Sequence, residues 1–245
     1  MGKINIEKKA ILITGTIVPN SIFVAHHNVE QRKQEYIDGL TFYKSQFPND
    51  DIFFLENSSH DFNADTAFNN LLKNNQITLI KFPVSTKTQE GKGYQEFEML
   101  DSTIGNLKNQ YSYFVKVTGR YKVLNIKDIV KPNNSLFIAD SHKKHKVTQT
   151  NVFCVNGIFY NDHLKNLYLR SNDSKGIFIE HVVYDYLIKN HLLKNTNLFH
   201  KNPIISGFSG SYGGTLNRNK YKMMFRNLER FILKAFNFHE FLIEY

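Results

Sequence analysis

A chain of 245 residues that is 41% hydrophobic and 22% charged is long enough to bury a full core and too apolar to be disordered. Its single cysteine excludes a disulfide framework and fits a reducing cytoplasm, while the absence of about 18 consecutive apolar residues excludes a spanning helix, and the N-terminal apolar run is too short for a secretory signal. Lys plus Arg exceeds Asp plus Glu by 31 to 22, a formal +9, so polyanions or anionic membrane surfaces are the expected partners, without naming which anion.

Residues 10–18 form a continuous apolar, β-branched run broken by Thr14-Gly15-Thr16, as expected of a buried first strand that leads into a loop. The spacing then predicts a helix over 29–47, with Tyr36, Leu40 and Tyr43 as its inner stripe and Pro48 as its stop. Arg32 lies in its first turns, where solvent is the default and a phosphate the alternative. A short strand at 51–55 ends in Glu56-Asn57-Ser58-Ser59, polar groups placed either to read a base or ribose or simply to turn the chain. A helix at 63–74 and a strand at 77–84 follow.

The stretch 91–121 is the most informative. Gly91-Lys92-Gly93-Tyr94 opens a helix with Phe97, Leu100, Ile104 and Leu107 on one stripe, and Tyr111, Tyr113, Val115 and Val117 alternate as a half-buried strand ending in Thr118-Gly119-Arg120-Tyr121. In open α/β sheets ligands bind beyond the carboxyl ends of the strands. A cation and free backbone amides there suit a phosphate; the alternative is that the glycines only shape a turn and Arg120 is a surface charge.

Beyond this point the pattern is less regular. A short helix at 126–130 stops at Pro132, and a strand at 135–139 leads to Asp140-Ser141-His142 and the basic run 143–146, for which a solvated loop is the ordinary reading. Residues 147–160 read as extended, with Cys154 as a small buried thiol, and Asn161 or Asp162 as the cap of a helix through Leu169. An apolar helix over 177–193 carries Glu180 near its start, where a carboxylate complements the helix dipole or serves chemistry. The glycine- and serine-rich loop 204–214, with Ser209 and Gly210, could wrap a diphosphate or act as a lid. A basic, aromatic helix at 217–236 could lie on an anionic membrane or pack with its basic face wet.

The alternation of strand and helix up to Tyr121 predicts an α/β fold with a mainly parallel central sheet and helices on both faces. No repeat or linker interrupts it. One domain is expected, with a nucleotide-binding half at 1–125, an acceptor and catalytic half at 126–216 and a C-terminal extension at 217–245.

The runs ILITGTI, ENS at 56–58, GKGYQEFE, FVKVTGRY and FIEHVVYDYL, together with the helix around Arg32 and Tyr36, resemble bacterial GT-A-type glycosyltransferases of capsule and lipopolysaccharide loci. The likeness spans about the first 190 residues, and KGYQE followed by KVTGRY is its most specific part. It implies a nucleotide-sugar donor held by Thr14, Gly15, Thr16, Arg32, Glu56 and Asn57. Lys92, Gly93, Tyr94, Arg120 and Asp140 would then surround the diphosphate and donor sugar. Glu180, followed here by histidine where many inverting members carry a second acid, is the implied catalytic base, with Asp140 as the other candidate acid. The acceptor implied is a surface glycan or its lipid carrier.

One departure stands out: no D-x-D tripeptide occurs in the chain, where GT-A enzymes usually hold Mn²⁺ or Mg²⁺. Either Asp140 takes a metal, with His142 and His145 nearby, or cationic side chains replace it, and metal independence is the expectation. Two other classes stay open on the residues alone. One is a basic nucleic-acid or polyphosphate-binding domain, although no recognisable nucleic-acid motif is present. The other is a sugar nucleotidyltransferase, although Gly15 stands alone where that class carries a glycine-rich loop.

Overall fold

The computed structural model describes residues 8–20, 27–130, 135–192, 196–207 and, near the C terminus, 225, 227, 228 and 230–232. The sequence candidates Ser209 and Gly210 lie outside the described residues, as does most of the helix expected at 217–236.

The first half follows the apolar pattern closely. Strand β1 (Lys9–Gly15) leads to helix α1 (Val29–Gln46), strand β2 (Asp51–Glu56), helix α2 (Thr66–Asn74) and strand β3 (Ile77–Lys81). A single 3₁₀ turn precedes helix α3 (Lys92–Leu107), which feeds strand β4 (Tyr113–Thr118). Side-chain caps fix two of the starts: Asn28 accepts from the Gln31 amide at 2.9 Å, and Asp65 from the Phe68 amide at 3.1 Å. β3 ends at Lys81 rather than 84, because Pro83 has no amide to donate to a ladder.

The second half contains β5 (Lys122–Val123), α4 (Ile126–Ile129), β6 (Phe137–Ile138), the hairpin β7 (Ser141–His142) and β8 (Val147–Thr148), and β9 (Val152–Asn156). A helical turn α5 (Gly157–Phe159) continues as a π-turn to Leu164 and, after a break, a 3₁₀ turn at Leu167–Arg170. The cap is Asn156, whose side chain accepts from the Ile158 and Phe159 amides at 2.9 and 3.2 Å, not Asn161 or Asp162, because the chain bends back into helix directly at the end of β9. Helix α6 (Ile179–Lys189) starts two residues later than expected because Ile177 is held in a bridge with Asn172. Strands β10 (Thr196–Asn197) and β11 (Ile205–Ser206) complete the described elements.

Seven strands form one sheet in the order β10-β6-β9-β4-β1-β2-β3. β1 pairs in parallel with both β2 and β4, and β9 is the one antiparallel member, between β4 and β6. The class is α/β, with helices on both faces as expected. On one face α1 and α2 cover Ile11, Ile13, Ile52, Phe54, Val115 and Val117; on the other α3, α5 and α6 cover Leu12, Phe53, Leu55, Phe114, Phe153 and Val155. β4 is therefore buried on both sides, not half-buried. Helices packed on both faces of the sheet remove the solvent face that a simple alternation would give it.

Chain order reverses between β1 and β4, since β1 connects outward toward β2 and β3 while β4 begins the other half of the sheet. This is the switch point at which the carboxyl ends of parallel strands leave a crevice. The register places Thr14 opposite Thr118 across it, with Gly15 opposite Glu56 one strand away.

Candidate functional site

The strand ends gather most of the polar residues that the sequence singles out. Thr16 donates its hydroxyl to Asn57 Oδ1 at 2.6 Å, and its amide donates to the Tyr36 hydroxyl at 2.8 Å. Asn57, buried, is within 3.4 Å of Gln95 Oε1 through Nδ2. Glu56 differs from its expected role. Its fully buried carboxylate accepts from the Ile17 amide at 3.0 Å, the Ser58 amide at 3.1 Å and the Lys81 ammonium, so it organises the loops after β1 and β2 instead of facing a ribose.

Arg32 is not a solvent-facing arginine. It is 3% exposed, and its guanidinium donates to the Ile17 carbonyl at 3.1 Å and to the Thr16 carbonyl. Arg120, also buried, pairs with Glu35 one turn along α1, at 2.9 Å. α1 comes this close to the β4 turn because Gly39 has no side chain: a Cβ there would lie 2.0 Å from the Gly119 carbonyl oxygen.

The two glycines that frame Lys92 are explained by packing. Gly91 has φ +101°, a conformation that favours glycine, and a Cβ there would lie 2.0 Å from the Asp173 carboxylate. A Cβ on Gly93 would lie 2.4 Å from Ile179 Cγ2. These contacts set the start of α3 against the start of α6. Asp173 Oδ2 accepts the Lys92 amide at 3.2 Å, which caps α3, and Tyr94 packs edge-on against Tyr168 at 4.8 Å.

Charges are concentrated here. Burial pushes the Lys92 ammonium below the usual lysine range; Asp173 and Glu180 pull it back, and Arg120 and Arg32 push it further down. Burial also lowers Arg32, Tyr36 opposes this and Arg120 adds to it. For Arg120 burial acts downward too, but Tyr36 and Glu35 outweigh it and the guanidinium is raised. Three cations thus repel one another across one crevice, an arrangement that favours a bound anion. Burial raises the Asp173 carboxyl, with Glu180 adding to the rise.

Glu180 stands half-buried in the first turn of α6, with Oε1 accepting from Thr150 Oγ1 at 2.9 Å. Asp140 is elsewhere engaged. Arg230 grips both of its oxygens at 2.8 Å and also donates to the Phe199 carbonyl, and a cavity of about 30 Å³ lies alongside, lined among others by Asp140, His142, Gln149 and Asn202. A divalent cation does not fit this donor set: the carboxylate is already bidentate to a guanidinium, and among the described residues no group of three or more His, Cys, Asp or Glu is placed to hold a metal ion.

No protein-family model matches the sequence, and no curated protein sequence matches it. Solved structures do. A protein described as a nucleotide-diphospho-sugar transferase from Desulfovibrio desulfuricans G20 is 10% identical with a TM-score of 0.46, over 76% of this chain and 77% of that one. A glycosyltransferase involved in glycosylating the major capsid of the virus PBCV-1 is 11% identical at a TM-score of 0.45, over 78% and 80%. A 4-diphosphocytidyl-2C-methyl-D-erythritol synthase from Anaerococcus prevotii is 10% identical at 0.45, over 91% and 96%. At about one identical residue in ten, none of these likenesses assigns a function.

Several site residues had no role attached in the sequence. Glu96 closes the KGYQE run and lies beneath Thr14, whose hydroxyl it accepts at 2.5 Å. Lys116 interrupts an otherwise apolar strand and opens the KVTGRY run, but neither feature gives it a role. Glu35, Thr150 and Asp173 carry no motif, and only the packing of distant segments brings them in.

Proposed function

We propose that this chain is a glycosyltransferase that moves a sugar from a nucleotide-sugar donor to a surface-glycan acceptor, of the capsule or lipopolysaccharide type, by inverting direct displacement. The observation that carries this reading is the convergence of Arg32, Lys92 and Arg120 with the half-buried carboxylate of Glu180 at the β1–β4 switch point. In this mechanism the acceptor hydroxyl loses its proton to Glu180 as its oxygen attacks the anomeric carbon. The bond from that carbon to the diphosphate breaks, and its electron pair leaves with the nucleoside diphosphate, whose charge develops in the field of the three cations. Thr14, Gly15, Thr16 and Asn57 line the nucleotide side. The cationic side chains take the place that a divalent metal has in a DxD site.

The test is a thermal-shift panel of UDP, GDP, CMP and dTDP sugars, with Mn²⁺ and with EDTA, since a ligand that binds only the folded state raises its apparent stability. One nucleotide class should stabilise the protein and persist in EDTA, and Glu180→Gln should keep that shift while losing transfer. An active Glu180→Gln enzyme overturns the assignment of the base. Pyrophosphate release from a nucleoside triphosphate and a sugar phosphate would instead make the chain a nucleotidyltransferase. Absent nucleotide shifts, with oligonucleotide binding that falls steeply with salt, would make it a nucleic-acid binder.

A further inference from the structure

Lys116 lies at the centre of the sheet, opposite Leu12 on β1 and Phe153 on β9, and is 0% exposed. Its ammonium pairs with Glu96 at 2.7 Å and donates to the Thr150 carbonyl at 2.6 Å and to Thr118 Oγ1 at 3.0 Å, which satisfies all three of its protons. Glu96 Oε1 is shared with the Thr14 and Thr118 hydroxyls, at 2.5 and 3.2 Å. Thr150 carries the connection onward: its carbonyl accepts from the Lys116 ammonium while its hydroxyl donates to Glu180. Burying an ion pair in a sheet is costly, and an apolar pair of like volume would stabilise the fold as well or better. A charge at this point is therefore better explained by what it does to the neighbouring site.

We propose that Lys116 is a positioning residue for Glu180: by holding the Thr150 carbonyl it fixes the Thr150 hydroxyl, which in turn aims the carboxylate over the rim. The catalytic meaning rests on the reading of Glu180 as base; the coupling of the two side chains does not. The charged groups around Glu180 are Lys92 from α3, Asp173 from the turn before α6, and Lys116 behind Thr150. Those around Lys116 are Glu96 from α3 and Glu180 from α6. Burial presses the Lys116 ammonium downward, and Glu96 and then Glu180 oppose this. Nearby, His181 is occupied with the Lys146 carbonyl at 2.9 Å.

The experiment reads Glu180 directly, by ¹³C titration of its side-chain carboxyl, assigned with Glu180→Gln. It compares the native protein with Lys116→Met/Glu96→Gln, which removes the pair without stranding a buried charge, and with Thr150→Val, which removes one hydroxyl and no charge. The Glu180 midpoint should rise in both variants, since the Thr150 hydroxyl that donates to the carboxylate is lost in one and released in the other, and the acid limb of kcat should rise with it. An unchanged midpoint in the folded double variant overturns the proposal; should that variant not fold, an unchanged midpoint in Thr150→Val does so. A midpoint that moves while Glu180→Gln still transfers sugar would leave the coupling standing and remove the base. A fixed midpoint with an inactive Glu180→Gln would do the reverse.

Discussion

The missing side chain of Gly93 and the Cγ2 atom of Ile179 occupy the same space: a Cβ on one would stand 2.4 Å from the other. Gly93→Ala must therefore push α3 and α6 apart at the point where Lys92 and Glu180 meet. Overpacking of this kind costs about 1–3 kcal/mol. Urea unfolding should show that loss, and donor binding should weaken with it. An alanine variant of native stability and affinity would mean that the two helix starts need not touch.

Arg120 and Glu35 form a buried pair at 2.9 Å, so the two partners can be separated by mutation. Arg120→Ala should weaken nucleotide-sugar binding by about 1.5–3 kcal/mol, roughly ten- to a hundredfold in Kd, as expected for a lost charged contact. Glu35→Gln should leave binding unchanged or tighter, because it releases Arg120 from its carboxylate. Equal losses in both variants, measured by calorimetry, would reduce Arg120 to a structural role.

Asp140→Asn distinguishes a structural ion pair from a metal ligand. With Arg230 left buried and unpaired, the expected cost is about 3–5 kcal/mol of stability, in a protein whose donor-induced thermal shift is the same in EDTA and in Mn²⁺. If the variant keeps its stability but loses a Mn²⁺-dependent activity, the carboxylate is a ligand.

Burial raises the Cys154 thiol from an ordinary value of 9.0 to about 12. The sign follows from linkage: between those values the unfolded chain has lost its proton and the folded chain has not, so this contribution is complete below pH 9 and declines by about 1.4 kcal/mol per unit above it. Stability should fall from pH 9 to 11, and iodoacetamide should leave Cys154 unmodified at pH 8 until the protein is unfolded. Rapid native alkylation would contradict the burial.

Phe225 and Phe231 are 67% and 70% exposed, whereas Arg230 between them and Asp140 is buried. This inverts the packing expected of an amphipathic helix docked by its aromatic side. No helix among the described residues is long and apolar enough to cross a membrane; the exposed Phe225 and Phe231 are what motivates a test of surface association. Phe225→Ser/Phe231→Ser should reduce flotation with anionic liposomes severalfold; unchanged flotation would end the reading of this segment as a membrane-surface contact.

The seven elements from β1 to β4 could be read from the sequence because each carries its own signal: β1 is an unbroken apolar run, and α1 and α3 keep a stripe at helical spacing. The rim was also legible, since Thr14, Asn57, Lys92 and Arg120 all follow strands or begin a helix. What escaped depended on partners distant in the chain. Arg32 reads as an exposed charge until the loop after β1 folds over it. Lys116 faces water in any single-strand reading, and only the helices on that face of the sheet, with Glu96 of α3 against its ammonium, close it off. The helix start at Ile179 was hidden because Asn172 claims Ile177 first.

The reversed direction of β9 also governs how the chain can be cut. Because β9 pairs with β4 from Tyr113 to Val117, the backbone of the first half is completed by the second. A fragment ending near residue 125 would present β4 as a bare edge, a template for any strand that meets it. Such a fragment should come out of expression as aggregates or exchanged dimers, and adding residues 126–192 as a separate peptide should restore a soluble species.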